Sequence, residues 1–258
     1  MTTPPWRGGA GSTRARCVLA PNPGPMTLDG TNTWVLREPG SARTVVVDPG
    51  PLDDRHLTAV ARLARAEDGR ADAVLLTHSH LDHAEGAVEL ARRLDVPVLA
   101  PGPGGRLHDG QVMDIGGLTV EVVATPGHTS DSVSFLVPAD GALLTGDTVL
   151  GRGTTVVAWP DGALASYLES LELIAARTGD GTVASILPGH GPVVGDPAAW
   201  LRFYLDHRHE RLAQVRQAVA DGAADARAVV ETVYAEVPRE LWDAAELSVR
   251  AQLEYLGA

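Results

Sequence analysis

The stretch that decides the fold is His78-Ser79-His80-Leu81-Asp82-His83, which places three imidazoles and one carboxylate within six residues. It directly follows the apolar run Ala73–Thr77 (AVLLT), which predicts a buried strand. Imidazole and carboxylate groups are ligands for zinc and related metals. A histidine-rich surface loop is the alternative, but ligand sites of α/β sheets gather where strands end. The segment therefore predicts a metal site at a sheet edge.

The same arrangement recurs three times, with an apolar strand followed by a glycine turn and then a histidine or an aspartate. The three segments are Thr125-Pro126-Gly127-His128-Thr129, Thr145-Gly146-Asp147-Thr148 and Leu187-Pro188-Gly189-His190-Gly191. A single histidine after a turn is usually a surface residue. Four such strand ends in one chain favour one shared site at the edge of the sheets.

Strands and helices alternate along the first two hundred residues, which predicts an α/β fold. The predicted strands are 44–48, 73–77, 96–100, 111–115, 118–124, 132–137, 142–145 and 183–187, and the predicted helices are 53–66, 84–94 and 163–176. Two β-rich halves, each with helices, indicate two sheets between helical layers. From residue 197 the pattern is helical, with helices expected at 198–221, 225–236 and 239–256.

The composition divides the chain into three predicted parts. Residues 1–15 are rich in Pro, Gly and Arg and lack an apolar segment, so we expect a flexible tail and no secretory signal. We expect the main domain over residues 16–196 and a helical subdomain over 197–258. No apolar run reaches the roughly 18 residues of a membrane span. Cys17 is the single cysteine, which excludes an intrachain disulfide, fits a cytoplasmic location and predicts a small buried side chain.

The charge of the chain restricts its chemistry and its partners. There are 33 acidic residues against 21 basic ones, a net charge of −12, and no lysine. The absence of lysine excludes Schiff-base and P-loop lysine chemistry. The acidic balance and an aromatic content of 4% work against a broad surface for single-stranded nucleic acid. No Gly-x-Ser-x-Gly segment occurs, so a serine hydrolase is not supported.

The motifs HSHLDH, TPGHT, TGDT and PGHG resemble, in this order, the successive motifs of the metallo-β-lactamase superfamily, and VVVDPG resembles its first motif. The resemblance covers about Thr27 to Gly191 and implies an αββα sandwich with the site at the sheet edges. It assigns Asp48 no ligand role. It implies a first metal held by His78, His80 and His128, a second held by Asp82, His83 and His190, and Asp147 as a bridge between them.

This ligand set implies two divalent metal ions, with Zn²⁺ expected and Mn²⁺ or Fe as alternatives. A water bound to both metals becomes hydroxide near neutral pH and can attack a carbonyl or phosphorus centre. Asp82 is the candidate catalytic residue, because it would ligate the second metal and can take the proton released during the attack.

A narrower resemblance links the chain to the branch of the lactamase-beta-like protein 2. It rests on Gly30-Thr31-Asn32-Thr33-Trp34, Gly151-Arg152-Gly153-Thr154-Thr155, His207-Arg208 and the helical C-terminus, which is similar to a winged-helix-like tail. That branch contains a single-strand endoribonuclease and is similar to thioesterases that release polyketides. We expect a small acyl ester, thioester or lactone as substrate. The alternatives are single-stranded RNA, with the activity of an endoribonuclease, and a non-catalytic or redox metal-binding scaffold. The oligomeric state stays open.

Histidines outside these motifs have less specific interpretations. His207 and His209 lie in an arginine-rich helix, which is either a substrate-facing patch or, as we expect, a solvated charged face. His56 and His108 have no motif around them, and we expect both at the surface.

Overall fold

The computed structural model of the protein describes residues 5–257, so the first four residues of the predicted tail and the last residue of the predicted helical subdomain lie outside the described range. Two sheets form the centre of the fold. The first contains, in spatial order, β1 (Gly9–Ala10), β2 (Ala15–Leu19), β3 (Asn32–Leu36), β4 (Arg43–Val47), β5 (Arg70–Leu75) and β6 (Val98–Leu99). The second contains β11 (Ser185–Pro188), β10 (Ala142–Gly146), β9 (Val133–Val137), β8 (Leu118–Ala124) and β7 (Val112–Ile115).

Residues 5–257 also form seven α-helices, which accompany the sheets. They are α1 (Asp54–Ala64), α2 (Leu81–Ala84), α3 (Ala87–Leu94), α4 (Leu164–Gly179), α5 (Pro197–Ala220), α6 (Ala226–Val233) and α7 (Trp242–Leu256). The predicted helix 84–94 is divided at Gly86, where a Cβ would lie 3.0 Å from the carbonyl oxygens of Gly50 and Pro51. Within residues 5–257, no helix has the length and apolar character needed to cross a membrane.

Three apolar layers join these elements. Between the sheets, Leu36, Leu75 and Phe135 are fully buried. The outer face of the first sheet packs on α1 and α3 through residues such as Leu57 and Leu90. The outer face of the second sheet packs on α4, α5 and part of α7. The order helix, sheet, sheet, helix confirms the expected αββα sandwich.

Parallel strand pairs determine where the loops of the fold meet. β5 lies parallel to β4 and β6, and β11 lies parallel to β10, whereas the other neighbours are antiparallel. Since parallel strands end at the same edge of a sheet, the segments after β4 and β5 emerge together, as do the segments after β10 and β11. β8 and β10 are both antiparallel to β9, so β8 ends at the same edge as β10. The four motifs with histidine or aspartate follow β5, β8, β10 and β11, and they meet in one region.

The segment predicted as a flexible tail contributes to the first sheet. Gly9 and Ala10 pair with Cys17 and Arg16 of β2. The indole nitrogen of Trp6 donates to Asn32 Oδ1 at 2.7 Å. Cys17 is buried, as expected, and burial raises the pKa of its thiol to about 12.

The C-terminal helices have their own apolar cluster and also contact the sandwich. Val215, Val230 and Val249 pack together where α5, α6 and α7 meet. The backbone N–H of Val157 donates to Ser248 Oγ at 3.1 Å, which holds α7 against the loop that follows β10. The helical subdomain is therefore fixed to the side of the sandwich that carries the loops after β10.

Candidate metal centre

Asp48 organises the loop that carries the first histidines. It follows β4 and adopts a positive φ of 50°, and its carboxylate accepts hydrogen bonds from the backbone N–H and the hydroxyl of Thr77 at 2.8 and 2.7 Å. Asp48 Oδ2 also lies 2.9 Å from His83 Nδ1. One buried carboxylate thus fixes both ends of the loop from Thr77 to His83, since β4 and β5 are adjacent and parallel.

The first cluster consists of His78, His80 and His128, whose ring nitrogens lie within 4.8 Å of one another. His128 Nε2 is 3.0 Å from His80 Nδ1. His78 Nε2 is buried and has no hydrogen-bond partner in the described part of the chain. Three ring nitrogens therefore face one small volume.

The second cluster consists of Asp82, His83, Asp147 and His190. Asp82 Oδ2 lies 3.1 Å from His190 Nε2, and the Nε2 atoms of His83 and His190 lie 3.2 Å apart. His83 and His190 are completely buried, whereas the Asp82 side chain keeps 31% of its exposure. Asp82 is therefore the most solvent-exposed side chain of the second cluster.

Asp147 lies between the two clusters. Its Oδ2 is 3.8 Å from His128 Nε2, and its Oδ1 is 3.3 Å from His83 Nε2 and 3.4 Å from His190 Nε2. Oδ1 is buried and accepts no hydrogen bond from the described residues. Each oxygen of this carboxylate thus faces a different cluster.

The hydrogen bonds around the imidazoles determine which nitrogen carries a hydrogen. Nδ1 of His83, His128 and His190 lies 2.9, 2.6 and 3.1 Å from the oxygens of Asp48, Val156 and Gly30. These oxygens only accept, so each Nδ1 carries a hydrogen and each neutral ring presents the lone pair of Nε2 to its cluster. The converging lone pairs of the Nε2 atoms can bind a cation in the space between them.

The charges of the site favour a cation. Burial opposes charge on Asp147, but the imidazoles of His190 and His83 hold the pKa of its carboxyl well below its ordinary value. Despite burial, Asp147 and Asp48 raise the pKa of His83 well above its ordinary value, and Asp147 raises the pKa of His190 to about 9. Burial, with His83 and His128 nearby, holds the pKa of His78 well below its ordinary value. Metal ions bound here would displace the protons of the second cluster.

The donor set fits two divalent metal ions. Nitrogen ligands in one cluster, mixed nitrogen and oxygen ligands in the other, and a shared carboxylate match the ligand preferences of Zn²⁺ and its neighbours. The backbone also leaves space for them, because a Cβ on Gly189 would lie 2.6 Å from Asp147 Oδ1 and 2.7 Å from His83 Cε1.

A cavity of about 310 Å³ opens beside His128 and Asp147. One side is formed by the loops after β10 and by residues near Met26, and the other by the C-terminal helices. Its lining residues are Pro25, Met26, Leu28, His128, Asp147, Leu150, Arg152, Gly153, Thr154, Thr155, Val156, His207, Arg208, Arg211, Tyr234, Val237, Leu241, Ala244, Ala245 and Ser248. The helical subdomain thus forms a wall of the space next to both clusters.

The structure brings together all seven side chains predicted from the motifs, but it corrects the expectations for two other histidines. His56 is buried, not at the surface, and its Nε2 lies 2.9 Å from Thr33 Oγ1 and 3.1 Å from the Pro49 oxygen. His207 is half-buried in the cavity wall, whereas His108 and His209 are exposed.

Arg208 is also not on a solvated face: it is 6% exposed and lines the cavity. With Arg208 between them, the buried residues Leu201, Tyr204, Leu212 and Val215 of α5 follow one another at spacings of three and four residues and form one stripe. Position 208 belongs to the same stripe, so helical periodicity is the signal that could have placed this arginine inside.

Asn32 is a further residue whose role the sequence reasoning missed. Its side chain donates to the carbonyl oxygens of Pro188 and Gly191 at 3.0 and 2.8 Å. Its backbone N–H donates to Gly189 at 2.8 Å. Asn32 therefore fixes the turn that carries His190. The sequence singles out the segment Gly30–Trp34 only through its resemblance to the branch of the lactamase-beta-like protein 2.

Comparison with known proteins agrees with this geometry. A model described as the metallo-beta-lactamase superfamily matches residues 26–107 and 97–190. A second, described as the beta-lactamase associated winged helix domain, matches residues 226–258. The chain belongs to the metallo-beta-lactamase superfamily, whose members are generally hydrolases. Its C-terminal match covers α6 and α7.

Individual relatives extend over most of the chain. A beta-lactamase-like protein 2 homolog of Drosophila melanogaster is 34% identical over 93% of this chain and 86% of its own length. An atrochrysone carboxyl ACP thioesterase of Aspergillus fumigatus is 34% identical over 90% of this chain and 77% of its own. The crystal structure of a beta-lactamase domain protein from Burkholderia ambifaria covers 99% of this chain and 89% of its own, with a TM-score of 0.80 and 26% identity.

Proposed function

We propose that the protein is a hydrolase that uses two divalent metal ions, Zn²⁺ being the expected one, on a small acyl ester, thioester or lactone. The observation that carries this proposal is the position of Asp147, whose two oxygens face two separate clusters of ligand atoms. Two metal ions held there would lower the pKa of a bound water and would supply positive charge for the oxygen of the substrate.

The ligands divide between the two ions as the clusters do. His78, His80 and His128 would hold the first ion, Asp82, His83 and His190 would hold the second, and Asp147 is placed to serve both. Asp48 keeps the His83 ring in place through the hydrogen bond at Nδ1. Such partners behind a ligand fix its orientation and increase its basicity.

Asp82 is the residue we assign to proton transfer. Its Oδ2 faces His190, and its side chain is partly exposed. Oδ1 makes no hydrogen bond to residues 5–257, so it can accept the proton of the attacking water and release it to solvent. Burial opposes the charge of Asp82, but the hydrogen bond from His190 and the neighbouring His83 together hold the pKa of Asp82 below its ordinary value.

A small acyl substrate suits the cavity better than RNA does. The cavity of about 310 Å³ is at the lower end of the range for small-molecule sites. Tyr234 is the single aromatic side chain among its lining residues, and binding of single-stranded RNA relies on several stacking rings along a cationic track. The thioesterase name of the Aspergillus fumigatus relative also favours an acyl bond.

The test compares substrates at equal metal and salt concentrations. We expect kcat/KM on an acyl thioester to exceed that on an unstructured RNA oligomer, with about two metal ions per chain. Asp147→Asn should abolish the activity, and Asp114→Asn, in the second sheet, should retain it. Faster cleavage of RNA that weakens steeply with salt would replace this proposal with an endoribonuclease. Metal binding without turnover of thioester, lactone or RNA would leave a metal-binding scaffold.

A further inference from the structure

A buried guanidinium without a carboxylate partner lies in the wall of the cavity beside the clusters. Arg208 donates from Nη2 to the carbonyl oxygen of Thr155, and its guanidinium carbon lies 4.9 Å from the centre of the Tyr167 ring. Its Nε is buried and has no hydrogen-bond partner among the described residues. Buried arginines are normally paired with an acid, so this one has hydrogen-bonding capacity that the protein leaves unused.

Arg211, on the next turn of α5, repeats this pattern. Its side chain donates to Gln214 Oε1 at 2.8 Å and to the carbonyl oxygen of Val233 at 2.9 Å, and it stacks 4.9 Å from the centre of the Tyr234 ring. Among the side chains that the structure describes, no carboxylate forms an ion pair with Arg211 or with Arg208. The neutral partners hold the side chain in place without neutralising its charge.

The charge of the cavity is opposite to that of the chain. The whole protein carries 33 acidic and 21 basic residues, a net charge of −12. The cavity wall contains Arg152, Arg208 and Arg211 but only one carboxylate, Asp147, which belongs to the metal clusters. Arg152 pairs with Asp29 at 3.2 Å, so the two arginines of α5 are the unneutralised cations of this wall.

Arg208 and the first cluster are bonded to one backbone segment. Thr155, whose carbonyl oxygen Arg208 binds, precedes Val156, whose carbonyl oxygen accepts from His128 Nδ1. The carbonyl that holds Arg208 is therefore adjacent in the chain to the carbonyl that holds the ring of His128. The space between Arg208 and His128 is bordered by Leu150, Val156 and Leu241 and suits the apolar part of a small molecule.

We propose that Arg208 and Arg211 bind an anionic group, a carboxylate or a phosphate, of a small substrate whose scissile acyl bond lies at the metal clusters. The proposal deepens the proposed function, on which the position of the acyl bond rests. Guanidinium groups bind two oxygens of a carboxylate or phosphate at once, so they favour such a group over a neutral one of the same size.

The test measures binding without turnover, so it remains informative if the protein is no hydrolase. The probes are unreactive thioethers: 6-(methylthio)hexanoate, its primary amide, and 6-(methylthio)hexyl phosphate. Calorimetry on the metal-loaded protein should show at least one anionic probe bound about tenfold more tightly than the amide. The tighter of the two anionic probes identifies the group as a carboxylate or a phosphate.

Arg208→Met and Arg211→Met should each reduce this preference to below about threefold. Arg250→Met is the matched control, because Arg250 also stacks on an aromatic ring, that of Trp159 at 5.3 Å, but does not line the cavity. The control should keep the preference of the wild type. If Arg208→Met fails to fold, Arg211→Met decides. Equal binding of anionic and amide probes to the wild type would overturn the proposal, and so would a preference that both folded arginine variants retain.

Discussion

Nε2 of His83 lies 3.2 Å from Nε2 of His190, although the two histidines are 107 residues apart. Each ring donates from Nδ1 to a fixed acceptor, His83 to Asp48 and His190 to the carbonyl of Gly30. Two neutral rings so oriented would direct their lone pairs at each other, which is unfavourable unless a positive charge lies between them. Asp82 and Asp147 add negative charge at the same place. The two lone pairs and the two carboxylates together favour a bound cation at this place.

A methyl group on Gly189 should displace metal from the second cluster. The added Cβ would lie 2.6 Å from Asp147 Oδ1. The turn cannot move away, because the backbone of Gly189 is hydrogen-bonded to the backbones of Gly146 and Asn32. We expect Gly189→Ala to lower the metal content from about two ions per chain to about one, measured by elemental analysis. Gly195→Ala adds a methyl where nothing lies within 4 Å and should retain both ions. Full metal content in Gly189→Ala would contradict the proposed position of the second ion.

Asp48→Asn should weaken metal binding although Asp48 is not a ligand. The new amide has one oxygen acceptor and one NH₂ donor, so one of the hydrogen-bond donors of Thr77 and His83 would face another donor. We expect the affinity for the second ion to fall about 10- to 100-fold, measured by competition with a chelator.

Asp53→Ala is the control for a general loss of stability. Asp53 caps α1 by accepting from the backbone N–H of His56 at 2.8 Å, so its removal should cost about 1 kcal/mol of unfolding free energy. Metal affinity should not change in this variant. An Asp48→Asn protein with the metal affinity of the wild type would show that Asp48 serves the fold alone.

Asp82→Asn should remove most of the turnover and leave the fold intact. An amide ligates metal more weakly and cannot accept the proton released in the attack. We expect kcat on a thioester to fall about 100-fold or more at full metal occupancy. Asp95→Asn, at the exposed end of α3, is a matched change outside the site and should stay within about twofold of the wild type. Turnover of Asp82→Asn within about threefold of the wild type would remove Asp82 from the mechanism.

His207 should reduce the stability of the protein in mild acid. Burial, together with Arg208 and Arg211, lowers the pKa of His207 to about 4. Below the unfolded pKa of about 6.5, the unfolded chain binds a proton that the folded protein does not, so unfolding becomes easier as the pH falls towards 4. The side chain is only half-buried, so we expect an effect of about 1 kcal/mol at pH 5 and none at pH 7.5.

Comparison of the wild type with His207→Gln at these two pH values isolates this effect. The metal concentration is kept constant, so that the titration of the clusters affects both proteins equally. The wild type should lose about 1 kcal/mol more unfolding free energy than the variant between pH 7.5 and pH 5. Parallel losses in the two proteins would show that His207 accepts its proton without penalty.

The parts of the fold with strong local patterns could be predicted from the sequence. The strand 118–124 has the predicted bounds, because apolar residues alternate with Thr119 and Glu121 directly after the turn at Gly116 and Gly117. The seven candidate ligands could be identified because each follows a strand directly in the chain. The edge strand Gly9–Ala10 could not be found, since two residues carry no periodicity and only pairing with β2 makes them a strand.

The second layer of the site depends on contacts between distant segments, which no local pattern contains. Asn32 acts on a turn 156 residues away, and its amide looks like that of any strand residue. Arg208 lies in the run Asp206–Arg211, in which all six side chains are charged or imidazole groups. Charge alone indicates solvent, but the packing of α5 against the loop near Thr155 turns this one arginine inward.

The attachment of Asn32 to the turn at His190 also determines when the centre can form during folding. A chain synthesised as far as Asp147 already contains six of the seven candidate ligands. It still lacks His190 and the turn to which Asn32 of β3 donates its hydrogen bonds. Closing a loop of this length has an entropic cost that only the assembled sheets offset, so a second metal ion at the proposed centre would bind late in folding. Binding of metal at the second cluster would therefore require that β3 and the turn at His190 have already come together. A partly folded chain would bind metal weakly or not at all.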